Sequence, residues 1–120
     1  MFNEVVYEEY RKGFVERMIM NSSMPVLVLN STGSCEYHNL EFKRVLFTPK
    51  GNIFTRFPSR DLGNIYAGFS SLMLEQQNKV KLNDIAMMDS DQIFTVSMIL
   101  SKIPQTQKVI MTISSCKRVN

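Results

Sequence analysis

The last third of the chain carries three runs in which apolar and polar residues alternate: Lys79 to Met87, Gln92 to Leu100 and Lys108 to Ser114. In the second run Phe94, Val96, Met98 and Leu100 share one parity, while Thr95, Ser97 and Ser101 share the other. That period of two predicts a strand with one buried face. The third run is apolar on both parities, with Val109, Met111 and Ile113 on one side and Ile110, Thr112 and Ser114 on the other. Its β-branched content predicts a central strand. Asp89-Ser90-Asp91 and Pro104-Gln105-Thr106 are polar and short enough for hairpins, so the three strands form an antiparallel meander.

Upstream the period changes. From Asn3 to Met20, Val6, Tyr7, Tyr10, Phe14 and Met18 recur at spacings near three and four, while Glu8, Glu9, Lys12 and Glu16 face away. An amphipathic helix is expected there, capped by Asn3 and weakened by Gly13 by about 1 kcal/mol relative to alanine. Met24 to Leu29 reads as a strand with Pro25 at its start, where a missing N–H is tolerated. Asn30 to Ser34 is a turn in which Gly33 suits positive φ, and Cys35 to His38 is the returning strand. Asn39 caps a short helix over Leu40 to Phe47. Ile53 to Phe57 fits no single period and is bounded by Pro58. A longer helix is expected from Ser59, as its cap, to about Gln77, with Leu62, Ile65, Tyr66, Phe69, Leu72 and Met73 in one stripe and Gly63 and Gly68 loosening it.

At 120 residues the chain fits one domain, divided into a helix over residues 1–20 and a folded unit over 21–120. The formal net charge is +3, but the Lys and Arg residues are scattered, without the basic stripe that a nucleic-acid footprint needs. With two cysteines, one histidine and no CxxC, neither a disulfide framework nor a metal site is indicated. No stretch approaches the roughly 18 apolar residues of a membrane span, and the opening residues lack the apolar core of a signal peptide. A soluble cytoplasmic protein that does not engage membranes is the expectation. Nine methionines without a tryptophan indicate an adaptable core.

The order of helix, two strands, short helices, a longer helix and three strands resembles that of a PAS domain. Two motifs carry the resemblance. Met24-Pro25-Val26-Leu27-Val28-Leu29-Asn30-Ser31-Thr32-Gly33 is similar to that family's first strand and turn, and Tyr37-His38-Asn39-Leu40-Glu41-Phe42 to the start of its first helix. The likeness runs from about Met20 to Ser115. It implies an α+β fold, a five-stranded antiparallel sheet with short helices and one longer helix on one face, preceded here by the amphipathic helix. Within that family the chain looks most like the amino-terminal domains of conjugal-transfer activators of F-type plasmids, the TraJ type. The opening helix before Met24-Pro25-Val26, and the runs Asp91 to Ser97 and Lys108 to Met111, carry that narrower likeness. It implies a fragment of a longer regulator that forms homodimers through the preceding helix and the outer sheet face, with DNA read by a C-terminal helix-turn-helix absent from this sequence.

Candidate chemistry is sparse. A haem-binding member of the family would need a histidine on its long helix, and here the one histidine, His38, lies at a strand end, where a structural role is favoured. A flavin photosensor would need a cysteine on that helix. Cys35 is flanked by Glu36, which would raise its pKa, so it reads as inert. No nucleophile is accompanied by a base, and the glycines form neither GxGxxG nor GxxxxGK, so no catalytic residues are assigned. The first helix either caps its own sheet or forms a dimer seam through Tyr7, Tyr10, Phe14 and Met18. The seam is favoured because large aromatics within a charged rim mark interfaces. In a PAS fold Phe69, Met73, Phe94, Val96, Met98, Met111 and Ile113 would line the space between sheet and long helix. A packed core without cofactor is expected, and the rival reading is a sensor for a small apolar ligand held there.

Overall fold

The structure, a computed structural model, describes residues 22–119. Five strands, β1 (Val26–Leu29), β2 (Cys35–His38), β3 (Lys79–Asp89), β4 (Gln92–Lys102) and β5 (Val109–Arg118), form one antiparallel sheet in the order β2-β1-β5-β4-β3. The helices are α1 (Leu40–Val45) and α2 (Ser59–Met73), with a 3-10 turn over Ile53–Arg56. The amphipathic helix expected over residues 1–20 lies outside the described residues.

β5 is central, as its two-sided apolar pattern predicts, because it pairs with β1 on one side and with β4 on the other. The sheet's inner face packs against α1, α2 and the 3-10 turn in one apolar cluster that includes Leu27, Phe42, Ile53, Ile65, Leu72, Met87 and Leu100, all fully or almost fully buried. Each such side chain contributes about 1.5–3 kcal/mol through removal from water. The opposite parity of β1 builds a smaller cluster on the other face, Val26 and Val28 with Ile103, flanked by half-buried Tyr37 and Ile110.

Three asparagines shape the β1–β2 side. The Asn30 side-chain oxygen accepts from the N–H groups of Thr32 and Ser34, at 3.0 Å each, which closes the turn that Gly33 enters at φ +87°. A Cβ at Gly33 would lie 2.4 Å from the Phe54 ring, so close approach as well as conformation demands glycine there. Asn39, 2% exposed, caps α1 by accepting from Phe42 N–H, accepts also from Val26 N–H, and donates to the Met24 carbonyl. Asn52 starts the 3-10 turn by accepting from Phe54 N–H and donates to the Thr32 carbonyl.

β1 starts at Val26, two residues after Met24, while β3, β4 and β5 run past their expected ends to Asp89, Lys102 and Arg118, and three helix boundaries also differ from the sequence expectation. α1 stops at Val45, two residues short of Phe47, where Leu46 leaves helical geometry. α2 begins with Ser59 as its first helical residue. Its cap is Pro58, which supplies no side-chain bond, so Ser59 is not the cap. The helix ends at Met73 because the chain turns through Glu75 at φ +58°, with Glu75 N–H and Gln76 N–H bonded back to Leu72 and Ser71.

Candidate functional site

Of the seven residues expected between sheet and long helix, Phe69 from α2, Phe94, Val96 and Met98 from β4, and Met111 and Ile113 from β5 are buried together in the main cluster. Met73 packs half-buried against its margin. These side chains touch one another as core, and further aromatic contacts close it: Phe69 meets Phe54 edge-on at 5.3 Å, and Phe94 lies 6.5 Å from Phe47. The interface residues Tyr7, Tyr10, Phe14 and Met18 lie outside the described residues.

A feature that the sequence reading missed lies beside this core. A groove of about 490 Å³ runs between α2 and the edge strand β3. Its floor is apolar, with Ala67, Gly68, Val80, Leu82 and Ile85, and its rim is polar, with Asn64, Ser71, Gln77, Lys81 and Asn83. Gly68 brings helix and strand together, since a Cβ there would sit 2.8 Å from Val80 Cγ1. The strand is irregular between Leu82 and Ile85, where three steps on β3 answer two on β4. Asp84 takes φ +56° in that bulge, and its N–H reaches Ser97 Oγ at 3.3 Å. Two signals in the sequence point there: a glycine inside a helical stripe, and the turn-forming pair Asn83-Asp84 inside an alternating run.

Charged groups fix the ends of this region. Arg56 bonds Asp89 at 2.7 Å and lies 4.9 Å above the Phe47 ring, tying the 3-10 turn to the end of β3. At the other end Lys102 bonds Glu75 at 2.7 Å, and this hydrogen bond and charge hold the exposed Glu75 carboxyl below its ordinary range. Both cysteines are free and half-buried. Burial pushes the Cys35 thiol up, against the opposing pull of Arg56, and burial likewise raises Cys116. The direction at Cys35 agrees with the sequence reading, but its largest cause is burial and not Glu36. Glu36 instead pairs with Lys108 at 2.7 Å. His38 sits half-buried at the end of β2 opposite Leu27. Among the described residues no group of three or more His, Cys, Asp or Glu is placed to hold a metal ion. No helix of the described residues is long and apolar enough to cross a membrane.

No protein-family model and no curated protein matches the chain. Solved structures do. A PAS domain from a two-component sensor histidine kinase is similar over 92% of this chain and 99% of its own, with a TM-score of 0.64 at 15% identity. The PAS domain of an HTR-like protein from Haloarcula marismortui is similar over 94% and 95%, with a TM-score of 0.58 at 13% identity. The PAS-B domain of Drosophila melanogaster Cycle, solved with bound ethylene glycol, is similar over 80% of this chain and all of its own, with a TM-score of 0.57 at 13% identity. The fold is therefore that of PAS domains.

Proposed function

We propose that this chain is the dimerisation and signal-relay domain of a cytoplasmic transcriptional regulator, of the kind that activates plasmid conjugal-transfer genes, with DNA read by a helix-turn-helix outside this sequence. The observation that carries the reading is the second apolar cluster, Val26, Val28 and Ile103 with Tyr37 and Ile110, on the sheet face away from α1 and α2. A sheet with apolar side chains on both faces needs a covering on each; Val26, Val28 and Ile103 are already buried within one chain, and half-buried Tyr37 and Ile110 extend the apolar face beside them. The aromatic stripe Tyr7, Tyr10, Phe14 and Met18 is of the right chemistry to supply it within a pair of chains. Two copies joined in this way set the spacing of two DNA-reading heads, so the output is geometry and not catalysis. The narrower assignment to conjugal-transfer activators rests on the sequence resemblance.

The rival, a sensor that takes a small apolar molecule between sheet and α2, requires side chains such as Met98 and Met111, already buried in the core, to move aside. Sedimentation equilibrium of residues 1–120 and 21–120 tests the proposal. A dimer that becomes a monomer on truncation supports it, and a longer chain that stays monomeric at every concentration overturns it. A ligand-dependent rise in melting temperature would favour the rival.

A further inference from the structure

The groove beside β3 is bounded on one side by an open sheet edge, since β3 is last in the strand order. Along an antiparallel strand, residues alternate between those that bond the neighbouring strand and those whose N–H and C=O point away from it. Ala86 belongs to the second kind, because its N–H bonds the Asp61 carboxylate of α2 at 3.3 Å. The alternation then runs backward through the registered pairs. Ile85 opposite Val96 faces β4, the bulge absorbs one extra residue, and Leu82 opposite Met98 faces β4 again. Lys81 opposite Ile99 and Lys79 opposite Ser101 therefore direct their backbone groups out of the sheet.

The two halves of the edge are thus unlike. From Ile85 to Asp89 it is closed, by Asp61 at Ala86 and by the Arg56–Asp89 pair. From Lys79 to Leu82 it is open among the described residues, with the groove's apolar floor on one face and two exposed lysine side chains on the other. Neither Lys79 nor Lys81 takes part in an ion pair among the described residues, whereas Lys102 and Lys108 each do.

We propose that the Lys79–Leu82 edge binds an extended acidic peptide of a partner protein by strand addition. The backbone groups of Lys79 and Lys81 would supply the hydrogen bonds. Side chains of one parity on the incoming strand then lie over Val80 and Leu82 beside Ala67 and Gly68, and must be apolar. Those of the other parity lie beside Lys79 and Lys81, and carboxylates satisfy them. An alternation of acidic and apolar residues is the motif that this edge selects. The inference does not depend on dimerisation through the opposite face of the sheet.

Lysines on an edge strand also serve to discourage pairing between edges. That role predicts no binding, so experiment separates the two. The probe is a fluorescein-labelled peptide, Gly-Glu-Val-Glu-Val-Glu-Gly, titrated with the 120-residue chain and followed by anisotropy. Saturable binding below about 1 mM is expected, weakened about tenfold or more by the double substitution Lys79→Glu and Lys81→Glu and by N-methylation of the peptide backbone. The charge-reversed protein should in turn prefer Gly-Lys-Val-Lys-Val-Lys-Gly. Circular dichroism and melting of the variant, expected to match the parent, show that loss of binding is not loss of fold. Absence of binding up to about 1 mM, equal affinity for both peptides, or indifference to N-methylation would each overturn the proposal. So would sedimentation showing that the edge instead pairs two copies of this chain.

Discussion

At the β2 edge of the sheet, side-chain amides and backbone groups together tie down the turn. Asn30 and Asn52 bond the turn on both sides, Cys35 N–H reaches the Gly51 carbonyl, and Ile53 N–H reaches the Gly33 carbonyl, so the segment around Gly51 covers the start of the edge strand. At the β3 edge, among the described residues, Asp61 and Arg56 reach across at Ala86 and Asp89, while a bulge interrupts the strand next to an open groove. One sheet thus has a stapled edge and an accessible one. Stapling uses specific polar partners that are costly to lose, whereas accessibility depends on shape, through a glycine and an extra residue. Substitutions on the two sides should therefore differ in size and also in how they combine with a neighbour's change.

The sharpest way to break the contrast is at Asn39. Three hydrogen bonds of its side chain join the strand start at Met24 and Val26 to the first turn of α1, in a buried position. Asn39→Ala leaves those backbone groups without partners and is expected to lower stability by about 3 kcal/mol, read from the urea midpoint at unchanged slope. A loss below about 1 kcal/mol would mean that water replaces the amide and that the β2 side is no more stapled than the β3 side.

Gly33→Ala follows, at about 2–3 kcal/mol, from two causes that can be separated: positive φ and the overlap with Phe54. In a Phe54→Ala background only the conformational part remains, and the further cost should fall to about 1 kcal/mol. Additive effects would show that the ring simply moves aside.

On the β3 side Gly68→Ala has opposing terms. A helix-interior alanine gains about 1 kcal/mol over glycine, while the 2.8 Å approach to Val80 costs more than that, for an expected net loss of about 1 kcal/mol. With Val80→Ala already present the overlap disappears, and the same substitution should stabilise by about 0.5–1 kcal/mol. A change of sign here, against a mere reduction at Gly33, is the signature of packing by shape without a conformational demand.

How far each region could be read from sequence follows the same division. Asn30, Gly33 and Asn39 announce themselves, because a capping amide or a positive-φ glycine acts on backbone within a few residues of itself. The register of β4 was legible in the alternation from Phe94 to Leu100, and the central place of β5 in its two apolar faces. The groove was not, since it exists only where Gly68 and Val80, distant along the chain, come together, and since the single extra residue between Leu82 and Ile85 shifts the pattern without erasing it. Asn52 gives no such sign, because its partner, the Thr32 carbonyl, lies on another turn. Serine is a good cap by type, but Ser59 already lies in the helix, and the extended residue before it is Pro58, at φ −68° and ψ 156°.

The smallest effect tests whether the β2 edge is closed to solvent chemistry as well as to pairing. Cys35 holds its proton more firmly than an ordinary thiol because burial disfavours the thiolate, and Arg56 offsets only part of that. Since thiolate is the reactive form, alkylation of Cys35 by iodoacetamide at pH 8 should run slower than that of a free cysteine and keep rising with pH beyond the point where the free thiol levels off. Arg56→Met removes the opposing charge, so it should slow Cys35 further and leave Cys116, whose pKa is raised by burial alone, unchanged. Peptide mapping distinguishes the two thiols. Fast reaction of Cys35 at neutral pH would show that the segment around Gly51 opens readily, and that the stapled edge resembles the accessible one more than its hydrogen bonds suggest.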